Sequence, residues 1–488
     1  MANPSDAKKS KEPKLQKESA TLKRSKAATE SEKGDLKWTR IDIKIALPEY
    51  VRNAVQRLSD SGHVAYVVGG SVRDALLSRT PKDHDLATSA PPEIIESLFP
   101  NAITVGRAFG VFKVPIPGSD SGGPTVLEIA TFREDFDYRD HRRPTAVHFS
   151  GPEEDARRRD FTINALFYDP KTGMVLDEVG GLQDLKEKKL RAIGDPNRRF
   201  QEDALRLLRM VRIGSVLGFE IDRETLLAAR SRAGLIRRIS AERVRDELSS
   251  MLCQGPSQLA LKQLMELGLL SYLIPELEAL KGVDDSAEEG VERRNAWART
   301  LKVIEVLGRN YSKRSVILAW ASLLINIGKP KALSLSQGRN FNGHEQFASE
   351  LSREITRRMR LTHEETETIA TLLQEQLKFK DVFQMREATL IRWLREPYFS
   401  ELLKLHQADA QTSGGNLAYF EFCSGRFKEL MDTPELNRLI SGADLIELGF
   451  EPGPLFSRVL REVDDLTLEG SLKTKDEALE YVLKHFVR

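Results

Sequence analysis

Two aspartates separated by one residue, Asp83 and Asp85, are well suited to metal chemistry. In an extended segment the side chains of residues i and i+2 point to the same face, so these carboxylates lie together. Like charges repel unless a cation lies between them, and Mg²⁺ prefers oxygen ligands shared with substrate phosphates. The pair therefore predicts a Mg²⁺ site at Asp83 and Asp85. An acidic surface loop is the alternative that this short pattern leaves open.

A glycine pair precedes the aspartates. The apolar run Ala65–Val68 predicts a buried strand, and Gly69–Gly70 allows a sharp turn with close approach of a ligand. Ser71 is predicted to cap a helix that starts at Val72, and the positive end of that helix, with Arg73, would hold an anion. The segment predicts a phosphate-binding turn beside the metal pair.

A third acid, Glu128, lies inside the apolar run Thr125–Thr131, which predicts a strand. An unpaired carboxylate is costly in an apolar environment. If this strand lies beside the aspartates, Glu128 is able to help deprotonate an attacking hydroxyl or to complete the metal shell. An edge-strand glutamate that faces water is the alternative.

A cluster of arginines ending at Arg159 is followed by Asp160 and Asn164. The pattern from Glu153 predicts a helix that becomes apolar after Phe161. Asp160 and Asn164 would then lie one helical turn apart and bind sugar hydroxyls or pair with the arginines. A solvated charged face remains the alternative.

Four charged residues at intervals of three lie in a segment predicted to be one helix: Asp203, Arg206, Arg209 and Arg212. Residues three apart differ by about 60° around a helix, so these side chains fan over one side. An aspartate accepts from an exocyclic amino group while an arginine donates to a ring acceptor. Cytosine and adenine share that order, so the set predicts selection of C and A. Surface ion pairs are the alternative.

The polar, basic segment 136–148 carries Arg139, Arg142 and Arg143 and is interrupted by Pro144. Such a composition is poorly suited to a core. It predicts a mobile loop that closes over a charged substrate.

The secondary structure predicted to position these residues differs between the two parts of the chain. Short apolar runs alternate with helical patterns up to about residue 180, with helices predicted over 48–61 and 91–99 and strands over 102–105 and 110–116. Beyond Gly180–Gly181 the pattern is almost wholly helical. The expected class is therefore α+β, with a small mixed sheet followed by helical domains.

Composition sets the remaining bounds. The chain has 488 residues, and 74 Lys and Arg nearly balance 73 Asp and Glu, so a polyanion site has to come from local clustering. The two cysteines are far apart, as expected of reduced thiols in a cytoplasmic protein. No apolar run is long enough to predict a membrane span. Residues 1–40 are rich in Lys, Ser and Glu and are predicted to be a disordered basic tail.

Several motifs in fixed order resemble the class II nucleotidyltransferases, the family of bacterial tRNA CCA-adding enzymes and poly(A) polymerases. They are GGSVRD, DHD, the RRP-containing loop, RRDFTINAL, GGLQDL, RRFQEDALRLLR and SAERVRDEL. The resemblance covers roughly Pro48 to Leu252. It implies a polymerase-β-like head and attack of an RNA 3′-hydroxyl on the α-phosphate of CTP or ATP, releasing pyrophosphate.

The resemblance also implies roles. Asp83, Asp85 and Glu128 would be catalytic, with the metal on the two aspartates. Nucleotide binding would involve Gly69, Gly70, Arg73, Arg159, Asp160, Asn164, Asp203, Arg206, Arg209 and Arg212. Asp203 and Arg206 would read the base, and the loop arginines would serve the switch from C to A addition.

Which family activity applies depends on finer detail. The chain reads GRAFGVF from Gly106, closer to the CCA-adding pattern than to the GRRF-like signature of poly(A) polymerases. CCA addition to the tRNA 3′ end is therefore predicted first. Addition of A alone, poly(A) synthesis, and a non-catalytic RNA-binding protein of the same fold follow in that order. A monomer and a homodimer both remain open.

The C-terminal half resembles an HD domain over Trp297 to about Leu377, but Arg299 and Ile325–Asn326 replace the metal-binding residues and only His344 survives. A degenerate module without phosphohydrolase activity is predicted. The expected domains are a tail over 1–40, a catalytic head over 41–180, a neck over 181–255, a body over 256–385 and a tRNA-binding helical tail over 386–488.

Overall fold

A mixed eight-stranded sheet occupies the N-terminal part of the chain and helices make up most of the rest, which confirms the α+β class. The computed structural model describes residues 38–40, 45–116, 125–138, 144–285, 295–414, 416–432 and 438–486. The strands are β1 (Trp38–Arg40), β2 (Ala65–Val68), β3 (Asp85–Thr88), β4 (Ile103–Gly106), β5 (Val111–Ile116), β6 (Thr125–Thr131), β7 (Arg133–Tyr138), β8 (Pro144–Phe149), β9 (Leu166–Asp169), β10 (Met174–Asp177), β11 (Lys189–Leu190) and β12 (Glu220–Ile221).

The large sheet has the order β1-β10-β9-β2-β3-β6-β5-β4, in which only β3 and β6 pair in parallel. The end of the predicted disordered tail at residue 40 is wrong, because Trp38–Arg40 pairs with β10 through its backbone and belongs to the sheet. The rest of the predicted disordered tail, residues 1–37, lies outside the described residues.

Local periodicity is reproduced closely in the head. The first helix, α1 (Glu49–Asp60), buries Val51, Ala54, Val55 and Leu58, the three-and-four spacing of an amphipathic helix. The predicted strands over 65–68 and 125–131 are observed with those bounds, and β4 and β5 start one residue later than predicted. The turn predicted between β5 and β6 lies outside the described residues.

The segment predicted as a loop over 136–148 is largely a hairpin. Strands β7 and β8 pair from Arg133 opposite Phe149 to Tyr138 opposite Pro144. Backbone pairing therefore outweighs the polar composition, and Pro144 is at the first strand position, where its missing N–H is least costly. The three loop arginines, Arg139, Arg142 and Arg143, lie outside the described residues, so their role stays a prediction.

Helices continue from the head to the C-terminus. After α1 they are α2 (Gly70–Leu76), α3 (Pro92–Leu98), α4 (Pro152–Arg157), α5 (Gly181–Glu187), α6 (Pro196–Glu202), α7 (Leu205–Leu217), α8 (Arg223–Arg232), α9 (Ala241–Cys253), α10 (Ser257–Glu266), α11 (Leu270–Leu273), α12 (Ala296–Asn310), α13 (Val316–Leu324), α14 (Lys329–Leu335), α15 (His344–Arg358), α16 (His363–Gln374), α17 (Glu387–Leu394), α18 (Phe399–Thr412), α19 (Ala418–Met431), α20 (Gly442–Glu447), α21 (Pro454–Leu468) and α22 (Lys475–Phe486). Short 3₁₀ turns occur at Arg107–Phe109, Thr162–Asn164, Ala233–Arg238, Pro275–Gly282 and Glu375–Asp381.

One apolar core extends from Ile45 to Cys423 and joins the sheet to the helices through α19. A separate small core holds α20 to α22. In the described part of the chain, one stretch, Val316–Leu335, is long and apolar enough to span a membrane, but 72% of its most apolar window is buried. Burial by neighbouring helices identifies it as a core element of the helical body.

Candidate active site

The turn after β2 brings backbone amides to the carboxylates. Gly69 has φ of +77°, where a side chain is strained, and a Cβ there would lie 3.6 Å from Oδ2 of Asp85 and Nη1 of Arg159. The helix starts at Gly70 rather than Val72, and the Ser71 hydroxyl donates to the Val68 carbonyl at 3.0 Å instead of capping it. The predicted serine cap is therefore wrong, because the glycine at the N-cap position makes the turn.

The sheet register places the acids beside this turn. Asp85 is the first residue of β3, where it lies opposite Val68 on one side and Glu128 on the other. Paired residues of neighbouring strands project to the same face. The role considered for Glu128 requires its strand to lie beside Asp85, and β6 does lie beside β3. Asp83 precedes β3 and lines the same cleft as Asp85.

Electrostatic repulsion in this cluster is substantial. Burial, Glu128 and Asp83, in that order, raise the pKa of Asp85 to about 7, although Arg159 and Arg209 oppose the shift. A divalent cation relieves that repulsion, so the donor set fits one. Across the described ranges, no group of three or more His, Cys, Asp or Glu side chains is close enough to form a metal cage. An ion here therefore needs oxygen ligands from substrate or water as well.

A buried aspartate orients two arginines of the site. Asp155 on α4 accepts from Arg158 at 2.9 and 2.5 Å through Oδ1 and from Arg159 at 3.1 and 3.0 Å through Oδ2. Burial raises the pKa of Asp155, but the two guanidinium groups outweigh it and the net shift is downward. Both arginines are thereby fixed at the cleft wall. They remain 18% exposed, which leaves donors available to an anion.

Asp160 and Asn164 meet, but not on one helix. The predicted helix ends at Arg157, Phe161 is extended, and Thr162–Asn164 forms a 3₁₀ turn. Asn164 donates to Oδ1 of Asp160 at 3.1 Å and accepts from Arg73 at 2.6 Å. These bonds connect Arg73, which follows the glycine turn, to Asn164 and Asp160.

Asp160 pairs with an arginine as expected, but with one that is distant in the sequence, Arg209. Nε of Arg209 donates to Oδ2 of Asp160 at 2.8 Å, and Nη2 lies 2.7 Å from the same oxygen. Arg209 and the side chain of Asn164 pull the pKa of Asp160 well below its usual range despite burial, which acts in the opposite direction. The Asp160 carboxylate is thus ionised and already well satisfied inside the protein.

The predicted single helix over the base-reading set is broken at its first member. Helix α6 ends at Glu202, Asp203 has an extended backbone, and α7 starts at Leu205. Asp203 accepts from the Leu205 amide at 3.0 Å and from Arg243 at 3.1 and 2.8 Å. The prediction of one continuous helix is wrong because this ion pair and the cap interrupt it.

The Arg206 amide donates to the Asp203 carbonyl at 3.1 Å, but the Arg206 guanidinium has other partners. This guanidinium, on a residue only 9% exposed, donates to Glu202 Oε2 at 2.8 Å and to the carbonyls of Arg199 and Arg158 at 3.0 and 3.1 Å. An arginine has five N–H donors and a carboxylate about four acceptor sites, so both groups keep capacity for a ligand. The two candidate base-reading groups are therefore positioned by different partners.

A second acid anchors the remaining arginines of α7. Glu247 on α9 lies 2.6 Å from Nε of Arg212 and 3.8 Å from Nη1 of Arg209. The sequence reading missed four such anchoring residues: Asp155, Glu202, Arg243 and Glu247. The first two lie three or four residues from the arginine they hold, a detectable helical spacing, whereas the other two come from a helix remote in sequence.

Together these residues line one cleft of about 390 Å³. Its lining is Gly69, Gly70, Arg73, Asp83, Asp85, Arg158, Arg159, Asp160, Asn164, Asp203, Arg206, Arg209, Arg212 and Ile213. Of the predicted site residues, Glu128 lies beside the cleft in the neighbouring strand and the loop arginines are outside the described residues. The cleft combines carboxylates, a glycine turn and ordered guanidinium groups, a chemistry suited to a nucleoside triphosphate.

Comparison with known proteins matches this arrangement. Residues 65–191 match the family model of the poly A polymerase head domain, and residues 218–281 match the probable RNA and SrmB-binding site of polymerase A. The first match covers the sheet from β2 onward with the acidic and glycine part of the cleft, and the second covers helices α8 to α11; α7, which carries three of the cleft arginines, lies between them.

Whole-length relatives carry one common name. The CCA-adding enzyme of Lactococcus lactis is 31% identical over 444 residues, covering 89% of this chain and 97% of its own length. That of Levilactobacillus brevis is 31% identical over 432 residues, covering 88% and 96%. The crystal structure of the Bacillus stearothermophilus CCA-adding enzyme in complex with CTP matches with a TM-score of 0.66 and 26% identity, covering 90% of this chain and 98% of that one.

Proposed function

Because the chain belongs to the nucleotidyltransferase family of the CCA-adding enzymes, we propose that it adds C and A nucleotides to the 3′ end of tRNA without a template. The substrates are CTP and ATP and the by-product is pyrophosphate. The observation that carries the proposal is the single cleft in which the acidic pair, the glycine turn and the Asp203–Arg206 set lie together.

The family generally depends on a divalent metal, and we assign Mg²⁺ to Asp83 and Asp85. Their mutual repulsion and the raised pKa of Asp85 support that assignment. When bound, such an ion supplies charge stabilisation for in-line displacement at a phosphate. Glu128, in register with Asp85, is placed to accept the proton of the attacking 3′-hydroxyl or to complete the metal shell.

Triphosphate binding is assigned to the glycine turn and the arginines around it. Gly69 and Gly70 allow close backbone approach, and Arg73 and Arg159 supply donors held by Asn164 and Asp155. Donors fixed before the reaction need no reorganisation when negative charge develops at the phosphate. Asp160 and Asn164 are assigned to the ribose side of the site.

Base selection is assigned to Asp203 and Arg206, supported by Arg209 and Arg212. The carboxylate accepts from the amino group of cytosine or adenine, and the guanidinium donates to the adjacent ring acceptor. Uracil and guanine do not present that order. Buttressing by Arg243 and Glu202 fixes the distance between acceptor and donor, so the protein performs the selection that a template strand otherwise would.

We assign tRNA binding to the helices beyond the head, in which the neck would span 181–255, the body 256–385 and the tail 386–488. Duplex RNA is recognised mostly through shape and backbone charge. We place the protein in the cytoplasm, where free thiols at Cys253 and Cys423 are stable.

The test offers four RNAs with labelled CTP or ATP: tRNA ending at the discriminator base, tRNA ending in C, tRNA ending in CC, and an unrelated oligoribonucleotide. CCA addition predicts C on the first two and A on the third. Incorporation of A alone on tRNA ending in CC identifies an A-adding enzyme. Unspecific A tails identify a poly(A) polymerase, and no labelling identifies a non-catalytic RNA-binding protein.

Catalytic carboxylates are tested by Asp83→Ala and Asp85→Ala. Incorporation should collapse in both while tRNA binding persists, because the acids act on the phosphate rather than on the RNA body. Glu93→Ala, an exposed acid at the start of α3, is the matched control and should keep full activity. Near-normal incorporation in either aspartate variant would overturn the metal assignment.

A further inference from the structure

A second cavity, of about 450 Å³, lies in the helical body and shares no lining residue with the catalytic cleft. It occupies the place where the resemblance to HD domains would put a metal, but Arg299 and Asn326 stand there instead. The Asn326 amide is already used, because it donates to the Thr300 hydroxyl at 3.0 Å. The cavity therefore has a different chemistry from a metal site.

Two ion pairs join four of the charged groups that line the cavity. Nζ of Lys329 lies 2.7 Å from both carboxylate oxygens of Asp285, and Arg299 donates to Asp409 at 2.9 Å. These carboxylates are engaged by cations, so they bind a metal poorly. These cations are neutralised, so a highly charged anion gains little. The favoured ligand is polar but uncharged.

Three residues that line the cavity each carry one buried polar atom with no hydrogen-bond partner within the described parts of the chain: Nε of Arg299, Oε1 of Gln376 and Nε2 of His406. Buried groups of this kind are rare because each carries a desolvation penalty. Burial lowers the pKa of His406 to about 4, so its ring is neutral at physiological pH. A matching ligand presents an acceptor to Arg299 and a donor to Gln376.

The walls of the cavity add a shape requirement. Phe341 and Tyr419 supply aromatic rings, and Leu373 and Leu377 supply aliphatic surface. Nucleobases stack on aromatic side chains, and their edges carry donors and acceptors side by side. The volume is that of a small-molecule site. We propose that this cavity binds the base of a nucleoside, at a site separate from nucleotidyl transfer.

The experiment measures binding of adenosine and cytidine to the full chain by calorimetry and saturation-transfer NMR. An Asp203→Ala background weakens binding of bases in the catalytic cleft. We expect a Kd on the order of 100 µM, which a ligand of this size typically reaches. Inorganic phosphate and Mn²⁺ are the comparison probes and should not compete.

Two variants in that background locate the site. Gln376→Leu removes the free acceptor while nearly preserving volume and should weaken binding roughly tenfold. Ala410→Leu fills the cavity and should abolish binding. Each change is also made in the chain with Asp203 intact, where nucleotide incorporation should be unchanged and Gln376→Leu should not lower the unfolding midpoint.

Three results would overturn the proposal. One is the absence of saturable binding at concentrations up to about ten times the expected Kd. Another is binding that Gln376→Leu leaves intact, which decides the question even if Ala410→Leu fails to fold. The third is binding that phosphate or Mn²⁺ displaces, which would assign the cavity to ions.

Discussion

Replacement of Asp160 by asparagine tests whether the cleft is held together by its buried ion pair. Asp160 is 8% exposed and receives three hydrogen bonds: one from Nε of Arg209 at 2.8 Å, one from the Phe161 amide at 2.8 Å and one from Asn164 at 3.1 Å. Nη2 of Arg209 also lies 2.7 Å from Oδ2 in the ion pair. Asparagine has the same shape but only one acceptor oxygen. The side-chain NH₂ group of asparagine is a donor, so it would face at least one other donor without an acceptor between them.

The size of the effect follows from the exposure of the two partners. Breaking a fully buried ion pair costs about 3–5 kcal/mol. The Arg209 side chain is 35% exposed and retains Glu247 at 3.8 Å, so water and that second acid recover part of the loss. We expect a loss of about 2–3 kcal/mol. For a core that extends over about 380 residues, this lowers the unfolding midpoint by roughly 2–4 °C.

The pH dependence has a defined sign. Because the native pKa of Asp160 lies below its ordinary value of 3.8, its stabilisation is complete above that value and is lost as the pH falls through the native pKa. The gap between wild type and Asp160→Asn should therefore be full at pH 7 and shrink in acid. Calorimetry between pH 3 and 7 measures it.

Asp246→Asn is the matched control, because that side chain is 66% exposed in its ion pair with Arg245. It should change stability by less than about 0.5 kcal/mol. A midpoint for Asp160→Asn within about 1 °C of wild type at pH 7, or a gap that widens in acid, would refute the reasoning about the buried pair.

Three further predictions concern other parts of the chain. Arg243→Ala frees the carboxylate of Asp203, so incorporation of UTP and GTP relative to CTP and ATP should rise; an unchanged ratio in competition assays would mean that Arg243 does not position it. Gly181→Ala places a Cβ 2.3 Å from a backbone oxygen and should cost about 2–3 kcal/mol by urea unfolding, whereas Gly282→Ala, with open space, should cost under about 1. The Cys423 thiol, whose pKa burial raises to about 12, should react with a disulfide reagent only after unfolding, and labelling of the native chain would contradict this.

Local patterns predicted local structure well. The spacing of apolar residues in α1 and the β-branched run of β2 each determine one element from neighbouring residues alone. The sheet pairing of Asp85 with Glu128 could be stated only as a condition, because nothing in either segment encodes which strand lies next to it. Residue type alone was enough to name Glu128 as a candidate, and the register with Asp85 came from the structure.

The break between α6 and α7 shows where such reasoning fails. The sequence around Asp203 contains no glycine or proline, so propensity favours one continuous helix. Asp203 instead has an extended backbone, accepts from Arg243, forty residues away, and accepts from the Leu205 amide through its own side chain. A tertiary ion pair therefore overrides local preference, and it does so at the residue assigned to base reading.

That break also bears on how a base is selected without a template. A cleft that attracted nucleotides through net positive charge would bind all four triphosphates alike, since they share their phosphates. Here a separate partner outside the base-reading pair holds each group: Arg243 holds Asp203 and Glu202 holds Arg206. Because each side chain has its own ion-pair partner, the acceptor and donor are held in place when no base is present. Under the proposed assignment, discrimination comes from the order of donor and acceptor on the base, and attraction comes from the arginines assigned to the phosphates.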